Sequence, residues 1–180
     1  SLVNVANWLD SGARTAFLQD ANSLIMRTPE LLEVIRYLKE TFPSIERVTS
    51  YARSKTAAKK SLEELQELHE AGLSRLHIGL ESGYDEVLKD MQKGVTAEEH
   101  IRGGRKVVGS GISLSEYVIP GLGSRKWSES HARETAKVLN QIDPAFIRIR
   151  SLIVRIDTPL YDRFEVGEFE QLTEDEVVDE

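Results

Sequence analysis

The sequence predicts an α/β protein, an open or partial parallel βα barrel of the TIM-barrel type with about five strands. Two observations predict this fold class. Short strand-like runs alternate with longer amphipathic runs at a spacing of roughly 30 residues, which suits repeated βα units. The predicted strands also carry polar side chains opposite their apolar ones. Such a polar face disagrees with the aliphatic interior of a closed eight-stranded barrel.

Runs of alternating apolar and polar residues predict five parallel strands. They are residues 14–19, 46–53, 75–81, 112–119 and 146–154. The third strand is the most informative, because it places Leu76, Ile78 and Leu80 on one face. His77 and Glu81 fall on the other face. A parallel strand is usually buried on both faces, so these two polar residues need water or a ligand as a partner.

The runs between the strands carry start and stop signals of helices. Four residues are predicted to cap the N-terminus of a helix: Thr28, Ser61, Thr96 and Ser128. Pro29 then occupies the first helical position, and Asp143 with Pro144 ends the last of these helices. Residues 1–13 fit the last turns of a helix that leads into the first strand.

The domain organisation follows from these elements. A chain that begins on a helix lacks the strand expected before it, so we expect a truncated fragment. Residues 1–160 are predicted to form the partial barrel. The acidic residues 161–180 are predicted to be the start of a C-terminal extension.

Composition excludes several classes of protein. The 180 residues are 40% hydrophobic, which suffices for one packed core. A formal charge of -7 argues against nonspecific binding to nucleic acid or to a membrane surface. There is no membrane-spanning apolar run and no signal peptide, so a cytoplasmic location is the default expectation. The chain has no cysteine and its four histidines lack zinc-binding spacing, so no metal site is expected within it.

Polar residues of four of the five strands collect on one predicted face. They are Thr49, Tyr51, His77, Glu81, Ser113, Ser115, Tyr117, Arg148 and Arg150. Two guanidinium groups on an inner strand face are suited to carboxylates or phosphates. Hydrogen-bond acceptors and glycines follow three strands, at residues 19–22, 81–83 and 120–124, where they can hold an amino group and ribose hydroxyls. The alternative interpretation is a twisted sheet with one face in water.

Four segments resemble the radical S-adenosylmethionine (radical SAM) superfamily, in the branch of Elp3 and oxygen-independent coproporphyrinogen oxidase. They are FLQDAN at 17–22, GLESGYDEVLKDMQKGVTAEEH at 79–100, IPGLG at 119–123 and SLIVRIDTPLY at 151–161. The resemblance covers residues 2–175 and implies a six-stranded partial barrel, of which about five strands are present here. It also implies S-adenosylmethionine and a [4Fe-4S] cluster as cofactors, and an electron donor such as flavodoxin or ferredoxin.

The chain departs from the family pattern at the cluster. In the family, the loop after the first strand carries cysteines spaced Cys-x3-Cys-x2-Cys that bind the cluster. None of them is present. We therefore expect this fragment alone to hold no cluster and to be inactive.

The resemblance also assigns cofactor-binding positions. Asp20 and Asn22 fall in the loop that binds the methionine amino group, while Glu81 falls at the ribose and Lys93 at the methionine carboxylate. The positions near adenine are Ile119, Gly121 and the backbone of Leu152 and Ile153. Tyr117 and Ser124 replace the first Gly and the final Glu of the family pattern Gly-x-Ile-x-Gly-x-x-Glu. The substrate candidates in the lumen are Tyr51, His77, Tyr117, Arg148 and Arg150, and no catalytic residue is assigned.

The resemblance predicts the core of a radical SAM enzyme that abstracts hydrogen from an unidentified substrate. Two alternatives stay open. A metal-independent barrel lyase or aldolase would need a lysine on an inner strand face, and none of the five predicted strands offers one. A noncatalytic barrel that binds a nucleotide or a protein is the other.

Overall fold

The computed structural model describes residues 2–180 and contains one parallel sheet within that range. Its strands are β1 (Thr15–Leu18), β2 (Arg47–Ala52), β3 (Leu73–Glu81), β4 (Ser113–Val118) and β5 (Phe146–Ile149). All four neighbouring pairs are parallel, and the strands lie in chain order. Parallel strands in chain order, joined by helical crossovers, form an open βα barrel, so the predicted fold class is confirmed.

Helices precede, connect and follow the strands. They are α1 (Leu2–Asp10), α2 (Thr28–Thr41), α3 (Ser54–Lys59), α4 (Leu62–Ala71), α5 (Asp85–Asp90), α6 (Ala97–Gly109), α7 (Ser124–Ile142), α8 (Pro159–Glu165) and α9 (Glu174–Asp179), with a 3-10 turn at Ser23–Ile25. No helix within residues 2–180 combines the length and the apolar character needed to cross a membrane.

The predicted helix starts are confirmed at two of four positions. Ser61 and Thr96 each form a complete capping box with the glutamate three residues later. Thr28 is not a cap, because α2 already includes it and the cap position is Arg27. The Thr28 hydroxyl instead bonds to Glu64 and accepts a bond from the Lys60 ammonium group at 2.8 Å, so tertiary contacts override its local preference.

The last predicted cap is also wrong, and three short helices, α3, α8 and α9, were missed. α7 begins four residues before Ser128, directly after Gly123. Helix α3 carries the sequence SKTAAK, which has no large apolar residue to form a stripe. It buries Ala57 and Ala58 instead. The fifth strand is shorter than predicted, because its pairing ends at Ile149.

The hydrophobic core lies between the sheet and the helices. Leu76, Ile78 and Leu80 of β3 are fully buried there, against helix residues such as Leu65 and Val107. Each such side chain stabilises the fold by about 1.5–3 kcal/mol relative to exposure. The apolar face predicted for the third strand is therefore the helix-facing side, and the opposite face lines the lumen.

One ionisable residue, Glu116, is buried on the helix-facing side of the sheet. Glu116 of β4 is 1% exposed, and neither of its carboxylate oxygens has a hydrogen-bond partner among the described residues. Burial raises the pKa of this carboxyl to about 8, so it is protonated and neutral at pH 7. The expectation that all helix-facing alternates are apolar is wrong here.

Residues 161–180 pack against the barrel. Phe169 and Leu172 are buried, and the Arg163 guanidinium pairs with the Asp90 carboxylate of α5 at 2.9 Å. The assignment of this segment to a separate extension stays a prediction.

Candidate functional site

A cavity of about 950 Å³ opens at the carboxyl ends of the strands, and we call it the upper cavity. It is lined by the ends of β2, β3 and β4 and by the loops that follow them. Pockets for small molecules are usually about 300–1,000 Å³. In parallel α/β sheets, ligands bind at this end of the strands. The upper cavity therefore has the place and the size of a small-molecule site.

Glu81 is the most unusual residue of the upper cavity. Its backbone has φ of 62°, in the left-handed region that few residues other than glycine adopt. The pairing of β3 with β4 shifts register between Gly79 and Glu81. Such a conformation costs about 1–3 kcal/mol and is concentrated at functional sites. This conformation turns the Glu81 side chain back over Gly79. A Cβ atom added to Gly79 would lie 2.9 Å from the Glu81 Oε1 atom.

Lys93 lies beside Glu81. Its ammonium group forms an ion pair with the Glu81 carboxylate, and the two side chains are 31% and 25% exposed. The loop after α5 brings Lys93 across the mouth of the upper cavity. The two residues that the resemblance assigns to the ribose and to the methionine carboxylate are thus neighbours.

Aromatic rings form a row along the lumen face of the sheet. Tyr51 lies 4.9 Å from Phe17 and 5.8 Å from His77, measured between ring centroids. His77 in turn lies 6.1 Å from Tyr117. The Arg150 guanidinium lies 4.9 Å from the centroid of the Tyr117 ring, within range of a cation–π contact. The lumen is therefore aromatic and cationic, and not only hydrophilic as the sequence indicated.

His77 is the buried polar group of this row. It is 8% exposed, and its Nδ1 atom has no hydrogen-bond partner in the described part of the chain. Burial lowers the pKa of His77, and the charges of Arg148, Arg75 and Arg47 lower it further. The ring is therefore neutral at pH 7.

The sequence analysis missed a second histidine in the upper cavity. His100 of α6 is 1% exposed, and its Nδ1 atom bonds to the Ser54 hydroxyl at the start of α3. Burial lowers its pKa to about 4, with the Lys93 charge as a smaller cause. No sequence signal pairs these residues, because the contact depends on how α3 packs on α6.

Other predicted cofactor contacts lie outside the lining of the upper cavity. Asp20 is exposed, and its Oδ1 atom accepts a bond from the Ala21 amide at 2.6 Å. The Asn22 side chain donates to the Thr56 hydroxyl at 3.0 Å and accepts from the Arg53 amide at 3.1 Å. Asn22 therefore anchors the start of α3, whose Ser54 lines the upper cavity.

The predicted adenine contacts divide between lining and non-lining positions. Ile119 lines the upper cavity. Gly121 does not, and its amide donates to the Glu180 carboxylate at 3.0 Å. Leu152 and Ile153 follow β5 and also lie outside the lining. The ligand contacts assigned to these residues stay predictions.

The site offers ligands for an organic cofactor but not for an iron–sulfur cluster. The chain contains no cysteine, and the described residues bring no three histidines or carboxylates together as metal ligands. A [4Fe-4S] cluster therefore does not fit these residues. An organic cofactor fits better, because the site offers a carboxylate, an ammonium group and aromatic rings.

A family model described as the radical SAM superfamily matches residues 4–139. Among curated proteins, the tRNA uridine(34) acetyltransferase of Methanocaldococcus infernus is 26% identical over 121 residues, or 66% of this chain. The enzyme of the same name from Methanocaldococcus jannaschii is 24% identical over 118 residues, or 64% of this chain. The aligned part spans 22% of the length of each relative.

Solved structures share the fold. The archaeal Methanocaldococcus infernus Elp3 with an N-terminal deletion gives a TM-score of 0.72 at 18% identity, covering 98% of this chain and 46% of that chain. The radical SAM enzyme coproporphyrinogen III oxidase (HemN) from Escherichia coli gives a TM-score of 0.70 at 14% identity, covering 93% and 38%. These similarities show a common architecture.

Proposed function

Since the chain belongs to the radical SAM superfamily, we propose that its upper cavity binds S-adenosylmethionine as part of a radical SAM enzyme. The observation that carries this proposal is the strained Glu81, whose carboxylate is held with Lys93 at the mouth of an aromatic-lined cavity. A strained backbone persists only where the surrounding structure enforces it, and here it aims an acceptor into the cavity.

Four residues that line the upper cavity, and Asn22 outside it, have roles in the proposed complex. The Glu81 carboxylate accepts hydrogen bonds from the ribose hydroxyls, and the Lys93 ammonium group binds the methionine carboxylate. Binding therefore exchanges the Glu81–Lys93 ion pair for two contacts with the ligand. Tyr117 and Ile119 offer flat and apolar surface to the adenine ring. Asn22 acts indirectly, by holding the backbone that leads into α3.

Five further ligand contacts belong to the proposal through the family resemblance. They are those of Asp20, Asn22, Gly121, Leu152 and Ile153. A direct contact from any of them requires a loop to move on binding, because none lines the upper cavity in this structure.

In the complete enzyme, S-adenosylmethionine together with a [4Fe-4S] cluster supplies an organic radical that abstracts hydrogen. The residues of this chain bind and orient the cofactor, exclude water and steer the substrate. Tyr51, Arg148 and Arg150 are the proposed steering residues on the lumen face. We also propose that the cluster ligands lie outside these 180 residues, that flavodoxin or ferredoxin supplies the electron, and that the chain alone is inactive.

A barrel lyase that forms a Schiff base is the weaker alternative. Such an enzyme needs a lysine on a lumen-facing strand position, and no described strand contains a lysine. A noncatalytic barrel could also bind the nucleoside part of S-adenosylmethionine. It would differ from the proposed enzyme only in that the complete protein would catalyse no reaction.

Replacing Glu81 with glutamine tests the proposed cofactor contact. Hydrogen bonds to a charged group are worth about 1.5–3 kcal/mol, so Glu81→Gln is expected to weaken S-adenosylmethionine binding roughly 10- to 100-fold. Isothermal titration calorimetry measures the change. Glu67→Gln, an exposed carboxylate on α4, is the matched control and is expected to bind as the unmodified chain does. Equal affinity of the Glu81→Gln variant and the unmodified chain would contradict the assignment.

A further inference from the structure

A second cavity lies on the lumen face at the amino ends of the strands, and we call it the lower cavity. It has a volume of about 530 Å³ and is lined by residues at the starts of β1, β2 and β3, together with Trp8 of α1 and Arg148 of β5. His77 lines both cavities, so the aromatic row separates one from the other.

Three guanidinium groups face the lower cavity: those of Arg47, Arg75 and Arg148. They are close enough that the charges of Arg47 and Arg148 lower the pKa of Arg75, after the larger effect of its burial. None of the three forms a salt bridge with a carboxylate in residues 2–180. Three like charges in one cavity repel each other, which costs free energy that a bound anion would recover.

Hydrogen bonds hold two of the three guanidinium groups in place and leave their terminal N–H donors unpaired among the described residues. The Nε of Arg75 donates to the Ser113 hydroxyl at 3.1 Å, and the Nε of Arg148 donates to the Ser115 hydroxyl at 3.0 Å. The Arg75 guanidinium also lies 4.1 Å from the centroid of the Phe146 ring. The two hydrogen bonds hold the Nε edge of the Arg75 and Arg148 guanidinium groups in place. The two terminal nitrogens of each guanidinium remain available, and this pair of donors matches two oxygens of one oxyanion.

The walls of the lower cavity add two further features. The Nδ1 atom of His77 is buried without a partner among the described residues. Trp8 and Phe17 line the cavity and are 41% and 39% exposed, so their rings are accessible to a flat group. An oxyanion carried by a planar organic molecule can use the cations and the rings together.

We infer that the lower cavity is a binding site for a phosphate-bearing small molecule, separate from the proposed S-adenosylmethionine site. Phosphate is favoured over a single carboxylate because three cations face the cavity, and a phosphate monoester or a diphosphate carries more negative charge than one carboxylate. The inference does not rest on the proposed function, since no residue of the Glu81–Lys93 pair lines the lower cavity.

Direct binding of inorganic pyrophosphate to the chain tests this inference. Isothermal titration calorimetry at low ionic strength is expected to show saturable binding, because salt screens exposed charges only weakly at low concentration. Arg75→Gln and Arg148→Gln are each expected to weaken pyrophosphate binding at least about 10-fold, since each removes a pair of charged donors. Arg36→Gln on α2, an exposed arginine outside both cavities, is the matched control and is expected to leave the affinity unchanged.

Two further measurements distinguish pyrophosphate binding in the lower cavity from binding elsewhere on the chain. Glu81→Gln is expected to leave pyrophosphate binding within about 3-fold, because Glu81 lies outside the lower cavity. The ring signals of His77 are expected to shift with pyrophosphate in an NMR titration, because the anion offsets the three arginine charges around that ring. Absence of saturable binding, equal affinity in the Arg75 and Arg148 variants, or tighter binding of citrate than of pyrophosphate would overturn the inference.

Discussion

Replacing Gly83 with alanine is expected to lower the free energy of unfolding by about 3 kcal/mol or more, the range of severe packing mutations. Gly83 lies two residues after the end of β3, where the chain passes against α7. A Cβ atom there would lie 2.5 Å from the Glu134 carbonyl oxygen and 2.6 Å from the Cα of Thr135. Both are backbone atoms and cannot rotate away, so either the loop or α7 must shift. The Gly83 amide would then also lose its bond to the Thr135 hydroxyl, now 2.9 Å long.

Urea denaturation measures this loss, and a second glycine provides the matched control. Gly109 at the end of α6 has only a Leu62 methyl group within 4 Å of its added Cβ, at 3.8 Å. Gly109→Ala is therefore expected to be neutral or to stabilise by up to about 1 kcal/mol through helix propensity. If the Gly83→Ala variant were as stable as the unmodified chain, the close contact between α7 and the loop after Glu81 would be disproved.

Replacing Glu116 with glutamine is expected to stabilise the protein increasingly as the pH rises. Burial raises the pKa of Glu116 to about 8 in the folded state, above the ordinary 4.5 of the unfolded chain. Between these values the folded state holds a proton that the unfolded state has lost, so the stability of the unmodified chain falls as the pH rises. Each pKa unit is worth about 1.4 kcal/mol. Glutamine cannot ionise, so we expect near-equal stability at pH 5 and a gain of about 3–5 kcal/mol at pH 9.

Chemical denaturation of both proteins from pH 5 to pH 9 measures this difference. His77 and His100 have lowered pKa values, so they make stability rise with pH at the acidic end. They are present in both proteins, and the difference between the two curves isolates Glu116. Glu67→Gln, which changes an exposed carboxylate, is expected to follow the unmodified chain. Parallel curves for Glu116→Gln and the unmodified chain would show that Glu116 ionises normally.

Local sequence signals were sufficient for most of the fold. The alternation of apolar and polar residues placed all five strands. One face of β2, β3 and β4 is buried against helices, whereas every residue of β5 is exposed. The capping boxes at Ser61 and Thr96 were confirmed because both partners of each box are local. Thr28 and Ser128 were misassigned because a single capping residue is a weak signal that tertiary contacts override. Glu116 could not be recognised as buried and unpaired from alternation alone.

The candidate site was less predictable, because its contacts join distant parts of the chain. Glu81 and Lys93 were singled out by the family resemblance, and their ion pair depends on how the loop after α5 folds back. Arg75 lies on the lumen face by the same alternation as His77, but only the structure shows that it lines one cavity with Arg47 and Arg148. The contact between Ser54 and His100 depends on the packing of α3 on α6. Neither helix indicates it alone.

The most direct test of the central claim is an NMR titration of the isotope-labelled chain with S-adenosylmethionine. The amide signals of Glu81, Lys93 and Ile119 are expected to shift together and to saturate, because these residues line the upper cavity. The amides of Arg47 and Arg75 at the lower cavity are expected to shift little. Shifts concentrated at Arg47 and Arg75, or a titration in which the Glu81 and Lys93 signals stay fixed, would contradict the proposed cofactor site.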